Sequence, residues 1–454
     1  MKRQLQEFAR LAGGTLHGGD RPYTQVSSDT RQIASGDLFV ALRGPRFDGH
    51  EFMGDALSAG AAGALVDRQQ RSALPQIVVG DTQAALTRAA SGWRAQFSHP
   101  LIGVAGSNGK TTVKEMLAAI LSQVGSCLAT RGNLNNHIGV PLTLLSLQDS
   151  HRFAVIEIGA NRSGEVAALA EIARPDIGLI TNAGAEHLEG FGSLDGVAHA
   201  EGEMVAALSA GGCAIINMDD SYADLWRGMT RAQVVGFGLS ASAQYRAEDV
   251  RVEIHEHGFR MCFLLVAPGG RQPVELQLGG RHNVINALAA AAAAVSAGAS
   301  LGDVAAGLAS MRAVPGRLQL KRTRHGAQLI DDSYNANPSS MRAGIDVLAD
   351  LHSRKWLVLG DMGELGEHAR VSHAQVGQYA REHGIERLFA TGKLATLAVE
   401  GFGAGGEWFP DTESLSRALD AQLGPDVCLL VKGSRSARLE RVVAALTGKQ
   451  EASH

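Results

Sequence analysis

The 454-residue chain is too long for one hydrophobic core and is expected to divide into about three domains at roughly 150 residues each. With 45% hydrophobic and 19% charged residues it is not a disordered chain, and a formal net charge of −4 without a Lys/Arg cluster lacks the electrostatic footprint that nucleic-acid binding needs. Cys127, Cys213, Cys262 and Cys428 lack the CxxC spacing of a zinc site, and no signal-peptide core or apolar run of about 18 residues occurs, so a cytoplasmic protein without membrane insertion is expected.

Residues 1–97 form the first unit. Apolar runs at 38–42, 64–66 and 76–79 predict short strands, 48–50 a turn and 52–62 a helix. Ahead of the first of these strands, Ser28, Asp29, Thr30 and Arg31 gather hydroxyls and a guanidinium in a way that suits a diphosphate or a sugar. A surface loop with a local Asx-turn accounts for the same residues.

Residues 98–312 form the second unit, and they carry the strongest signal. The apolar run 101–105 empties into Gly106-Ser107-Asn108-Gly109-Lys110-Thr111-Thr112, and 112–121 is apolar at helical spacing. A glycine loop between a strand and a helix N-terminus turns backbone N–H groups toward a phosphate; Lys110 adds a point charge for the β/γ-phosphates, and the Thr111 hydroxyl suits Mg²⁺. The commoner form of this loop has glycine five positions before Gly109, where this chain has Val104, so the loop is a variant. Further strand-like runs at 153–159 and 176–182, in alternation with helical patterns, predict a doubly wound, mainly parallel α/β sheet.

Between these runs, Gly132-Asn-Leu-Asn-Asn136-His is too rich in amides for a core segment and reads as a functional loop, with Asn136 a candidate substrate contact. Glu157 ends an apolar strand, where an unpaired carboxylate is costly, and His187 follows the next strand. Adjacent parallel strands would bring both near Lys110, as metal ligands beside phosphates require; a histidine in that place is also commonly just a hydrogen-bonded loop residue. The stretch 251–278, with turns at His257-Gly258 and Pro268-Gly-Gly270, predicts an antiparallel extension of the sheet, and 287–295 an alanine-rich helix.

Residues 313–454 repeat the strand and helix alternation. Three strands end in polar loops, at Asp331-Asp332-Ser-Tyr-Asn335-Ala-Asn337-Pro, Gly360-Asp-Met-Gly-Glu364 and Lys432-Gly-Ser434-Arg435. Ligands of open α/β sheets bind beyond the carboxyl ends of strands, so these loops are expected to share one crevice. The polar tail 448–454 is expected to fray.

In their order, the phosphate loop, Glu157, His187, His282-Asn283-Val-Ile-Asn286, Arg317 and Asp332 resemble the ATP-dependent Mur ligases of bacterial peptidoglycan synthesis. The resemblance covers the whole chain. It implies a small α/β domain for a UDP-sugar, a central P-loop ATPase domain and a Rossmann-like C-terminal domain that closes over them. It further implies Asn283 and Asn286 near adenine, Arg317 at the phosphates and Asp332 at the ribose. Asn335, Asn337, Lys432, Ser434 and Arg435 are then candidates for the incoming peptide. The runs 331–338, 360–366 and 28–31 resemble the branch that joins D-alanyl-D-alanine to UDP-N-acetylmuramoyl-tripeptide. ATP and Mg²⁺ are the implied cofactors, with Lys110, Glu157 and His187 catalytic, and a monomer is the working expectation. A folylpolyglutamate-synthase-like ligase would share the loop but has no need of the first 95 residues, and a nucleotide-gated binding protein would make no bond.

One departure stands out. The family usually places a lysine, carbamylated by CO₂, on the helix after the histidine, and here Glu201 stands there. The expectation is that its carboxylate replaces the carbamate, reaching the metal set of Thr111, Glu157 and His187 through a bound water; a solvated helix residue is the alternative.

Overall fold

Leu101–Ala105 is buried along its whole length in the computed structural model, which describes residues 3–45, 47–255 and 258–448. Burial on both faces is the condition of a strand inside a parallel sheet. This strand is fourth of six, in the order Gln233–Phe237, Cys213–Asn217, Ile177–Ile180, Leu101–Ala105, Phe153–Glu157, Cys127–Ala129, and every pairing is parallel. From Leu101–Ala105 the chain winds to one edge, returns through Phe153–Glu157, and then builds the other side. The winding direction therefore reverses at this strand, which opens a crevice at its carboxyl end. Helix Lys110–Leu121 starts in that crevice and packs on Arg281–Ser296 and Leu301–Ser310.

The first unit has a five-stranded sheet ordered Thr15–His17, Gln76–Val78, Gly63–Val66, Leu38–Val40, Val26–Ser27, parallel except for the first pairing. The expected helix at 52–62 is shorter: a 3₁₀ turn, Gly49–Phe52, precedes helix Met53–Ser58. The stretch expected to extend the central sheet instead forms its own three-stranded antiparallel sheet, Arg246–His255, Gly258–Ala267 and Gly270–Leu276. The hairpin pattern was legible, but it carries no record of which sheet edge it joins. His257 of the expected turn and the tail beyond Gly448 lie outside the described residues.

The C-terminal sheet is ordered Gln319–Arg322, Gln328–Asp332, Val427–Lys432, Arg354–Gly360, Arg387–Thr391, Gly406–Phe409, antiparallel only at its first pairing. Register sets Asp332 beside Lys432 at the carboxyl ends of two adjacent strands.

One hydrophobic core runs from the first sheet into the central one, joining Leu5, Phe8, Leu65 and Trp93 to Leu101, Leu144 and Ile156. Polar bonds reinforce the joint: Trp93 Nε1 donates to Leu147 O at 3.1 Å, and the buried Arg94 guanidinium donates to the carbonyls of Ala173 and Arg174, each at 2.8 Å. The C-terminal sheet has separate cores on its two faces. Among the described residues no helix is long and apolar enough to cross a membrane.

Candidate active site

The phosphate loop holds its shape because two of its positions admit no side chain. Gly106 has φ 120°, and a Cβ there would lie 2.1 Å from Thr181 Oγ1; Gly109 has φ 86°, and its Cβ would lie 2.4 Å from Asn286 Oδ1. Helix Lys110–Leu121 begins at Gly109, so its unpaired N–H groups and positive end face the crevice. A cavity of about 630 Å³ opens there, lined on the central side by residues 107–112, Asn136, Glu157 and His187. Asn283 and Asn286 close its floor, and Asn286 Nδ2 donates to Asn283 Oδ1 at 3.0 Å.

Lys110 Nζ donates to the carbonyls of Gly106 and Ser107 and to Glu186 Oε1, the last at 3.2 Å. Burial alone would lower its pKa, but the charges of Glu186, Glu201 and Glu157 outweigh it and raise it, so the side chain stays an ammonium. Glu186 was not singled out by sequence reasoning. Its only local signal was a carboxylate next to His187, because its partner lies 76 residues away.

Glu157 Oε1 accepts from Asn135 Nδ2 at 2.8 Å and lies 3.3 Å from Thr111 Oγ1, while Oε2 is buried with no protein partner. An orphaned carboxylate oxygen beside a loop threonine fits a bound divalent cation. The four expected ligands are not gathered at one point, and among the described residues no three His, Cys, Asp or Glu side chains form a metal cluster. His187 Nδ1 is 2.7 Å from Glu364 Oε2 of the C-terminal domain. Glu201 does not line the cavity; its Oε2 accepts from Gly106 N at 2.6 Å, behind the loop.

Burial raises the Glu201 pKa to about 7, against the pull of Lys110. Since the folded value lies above the ordinary one, the protonated form stabilises the fold fully below pH about 4.5, and that contribution is lost as pH rises through about 7. Relative to Glu201→Gln, the wild type is expected to lose roughly 3 kcal/mol of stability across that window. Urea unfolding of both proteins at pH 5 and pH 8 checks this, and a pH-independent difference refutes it.

The other wall comes from the C-terminal domain. Arg317 Nη2 donates to Thr111 Oγ1 at 3.1 Å, and its guanidinium lies 4.4 Å from the centre of the Tyr334 ring. Asp332 faces the cavity, with Oδ2 2.7 Å from Lys432 Nζ, whereas Asp331 turns away to Lys321 at 2.7 Å. Lys432, expected at substrate, is buried with its ammonium held by Asp332 and by Asn335 O at 2.9 Å. Asn335 and Asn337 line the same wall.

Some expected residues stand elsewhere. Ser434 and Arg435 do not line the cavity: Ser434 Oγ is 3.0 Å from Ser436 Oγ, and Arg435 lies over the Tyr334 ring at 5.8 Å. In the first domain Asp29 Oδ1 accepts from Arg31 N at 3.0 Å, an Asx-turn, and the Arg31 side chain is 86% exposed and paired with Asp29. Residues 28–31 do not line this cavity.

Family models account for most of this architecture. Residues 22–122 match the Mur ligase family catalytic domain, 104–294 the Mur ligase middle domain and 316–435 the Mur ligase glutamate ligase domain. The chain belongs to the Mur ligase family. This Mur ligase is 43% identical to the UDP-N-acetylmuramoyl-tripeptide–D-alanyl-D-alanine ligase of Escherichia coli (strain K12), over 97% of its own length and 98% of the relative's. Its fold is similar to that of MurF from Acinetobacter baumannii, with a TM-score of 0.90 at 33% identity and 99% of each chain covered. It is also similar to the MurF ligase from Thermotoga maritima in complex with ADP, with a TM-score of 0.80 at 27% identity, covering 94% of this chain and 97% of that one.

Proposed function

We propose that this Mur ligase joins D-alanyl-D-alanine to the peptide carboxylate of UDP-N-acetylmuramoyl-tripeptide in the cytoplasm, using ATP and releasing ADP and phosphate. The observation that carries this reading is a single cavity shared by the Lys110 loop and the Asp332–Asn337 loop, on a chain 43% identical along its length to a ligase of that name. A carboxylate does not condense with an amine in water until its oxygen becomes a good leaving group. Transfer of the γ-phosphoryl group from ATP to that carboxylate supplies one, and the resulting acyl phosphate is attacked by the dipeptide amine.

In this reading the Lys110 ammonium and the loop N–H groups hold the phosphates and balance the charge that develops on them. Arg317 reaches the same place from the opposite wall, Asn283 and Asn286 floor the adenine side, and Asp332 is oriented by Lys432 to accept from a ribose hydroxyl. Magnesium fits Thr111 and the free oxygen of Glu157, where it would neutralise phosphate charge when bound. Closure of the two walls excludes water, which would otherwise hydrolyse the acyl phosphate. The UDP-sugar falls to the first domain, with residues 28–31 its candidate contacts.

Phosphate release, measured with the tripeptide nucleotide alone and with both substrates, tests the reading. Sustained release and a product of the summed mass less one water are expected only with both, and release that ignores the dipeptide refutes it. Arg31→Ala is expected to raise the KM for the UDP-substrate about tenfold and leave that for ATP unchanged, the size expected for one charged hydrogen bond. Equal changes in both constants would remove the assignment.

A further inference from the structure

The two halves of the Asn337 side-chain amide face different domains. Its oxygen belongs to helix Pro338–Ala349: Oδ1 accepts from Ser340 N at 2.8 Å and from the Ser339 hydroxyl at 3.0 Å, which caps the helix. Its nitrogen leaves the C-terminal domain altogether. Nδ2 donates to Asn108 Oδ1 of the phosphate loop at 2.9 Å and lies 3.5 Å from Glu186 Oε2. Asn108 completes a reciprocal pair, with its own Nδ2 donating to Ser339 Oγ at 3.0 Å. The Asn108 backbone is in turn clamped on both sides by Asn182, whose Oδ1 accepts from Asn108 N at 3.0 Å and whose Nδ2 donates to Asn108 O at 2.9 Å. The other oxygen of Glu186 holds Lys110.

We propose that Asn337 is a positioning residue for the ligation, its amide nitrogen carrying the docked position of the C-terminal domain to Lys110 through Asn108 and Glu186. Capping does not explain the choice of residue. Asp, Ser and Thr cap helices about as well as Asn, yet none of them offers an N–H donor to the opposite wall. Asn337 is 7% exposed and Glu186 9%, so loss of that donor leaves Glu186 Oε2 short of a partner in a buried place, where an unmet acceptor is costly, and takes from the half-buried Asn108 Oδ1 its bond to the other wall. Glu186 then answers to Lys110 alone, and the ammonium is no longer referenced to the wall that carries Asp332 and Arg317. The inference rests on the reading that Lys110 handles ATP phosphates.

Asn337→Asp and Asn337→Ser separate the two halves, since both keep the cap and lose the donor. In the full-length protein both are expected to fold, with a melting midpoint lowered by the lost bond. Their kcat should fall about tenfold to hundredfold, with the KM for ATP within about threefold. A residue that only caps the helix would leave kcat alone, so wild-type kcat in both variants overturns the proposal. Asn108→Ser removes the acceptor from the other side and serves if the Asn337 variants fold poorly. It should show the same loss, and the double variant should be no worse than either single one; additive losses overturn the proposal. Amide hydrogen exchange of residues 105–111, with and without ADP, decides independently of turnover. Faster exchange in the variants supports the coupling and unchanged exchange overturns it, whereas a wild type that forms no peptide product counts against the ligase reading only.

Discussion

Lys110→Ala is expected to lower ATP-dependent phosphate release by at least about 10³-fold, the scale on which a preorganised charge acts on a transferring phosphoryl group. It is also expected to destabilise the protein, which the loop motif alone does not foretell. Three carboxylates, those of Glu186, Glu201 and Glu157, act on this one ammonium, and the side chains of Lys110 and Glu186 are only 16% and 11% exposed. Removal of one partner of a buried pair costs about 3–5 kcal/mol, because the charge left behind has no compensation. Glu201, which burial already raises to about 7, escapes that cost in the variant by taking up a proton in the folded state, so the deficit should be larger at pH 8 than at pH 5.5. Melting midpoints at both pH values check the electrostatic account, which an equal deficit would refute. Normal turnover in the folded variant would refute the phosphate role.

Lys432→Ala is expected to be the second costly change, again by about 3–5 kcal/mol. Its side chain is 4% exposed and that of Asp332 13%, and the truncation strands both the Asp332 carboxylate and Asn335 O. Asp332→Ala strands the ammonium instead, and should also raise the KM for ATP if the carboxylate meets the ribose. The two losses are not independent. A protein carrying both changes should be more stable than either single variant, since no buried charge then lacks its partner. Denaturant unfolding of the three variants measures this, and additive losses would show that the pair contributes little.

The parts of the site that were legible in the sequence are those in which local chain geometry sets the role. A strand, two obligatory glycines and a helix N-terminus make a phosphate loop within a dozen residues, and Thr111 and Lys110 follow from it. Of Asp331 and Asp332 only the second faces the cavity, because successive strand residues point to opposite faces. Long-range partners were not legible. Glu186 acquires its role from Lys110, and Asn108 and Asn337 acquire theirs from each other across 229 residues. The loop 360–364, expected to share the crevice with the other two polar strand ends, does not line the cavity. Asp361 caps helix Ala395–Phe402 with both oxygens, accepting from the backbone N–H groups of Lys393, Leu394 and Ala395. The carboxylate of Glu364 lies against His187. A polar residue at such a position must meet either a ligand or another part of the chain, and composition does not distinguish the two.

The continuous core beneath the first and central sheets divides the molecule differently from its sheets. Residues that share one packed interior lose it together, so the amino-terminal and central sheets make one cooperative melting unit, and the C-terminal sheet, with its own interiors, makes another. Between the two units, Phe259 of the three-stranded sheet packs into a C-terminal interior, and bonds such as Asn337 to Asn108 and Arg317 to Thr111 cross at the cavity. A nucleotide seated there touches both, and its binding free energy is available only while both are folded and docked. Occupancy of the seam is therefore expected to merge two thermal transitions into one, read by calorimetry with and without nucleotide, and the substrate itself becomes part of what makes this chain behave as a single protein.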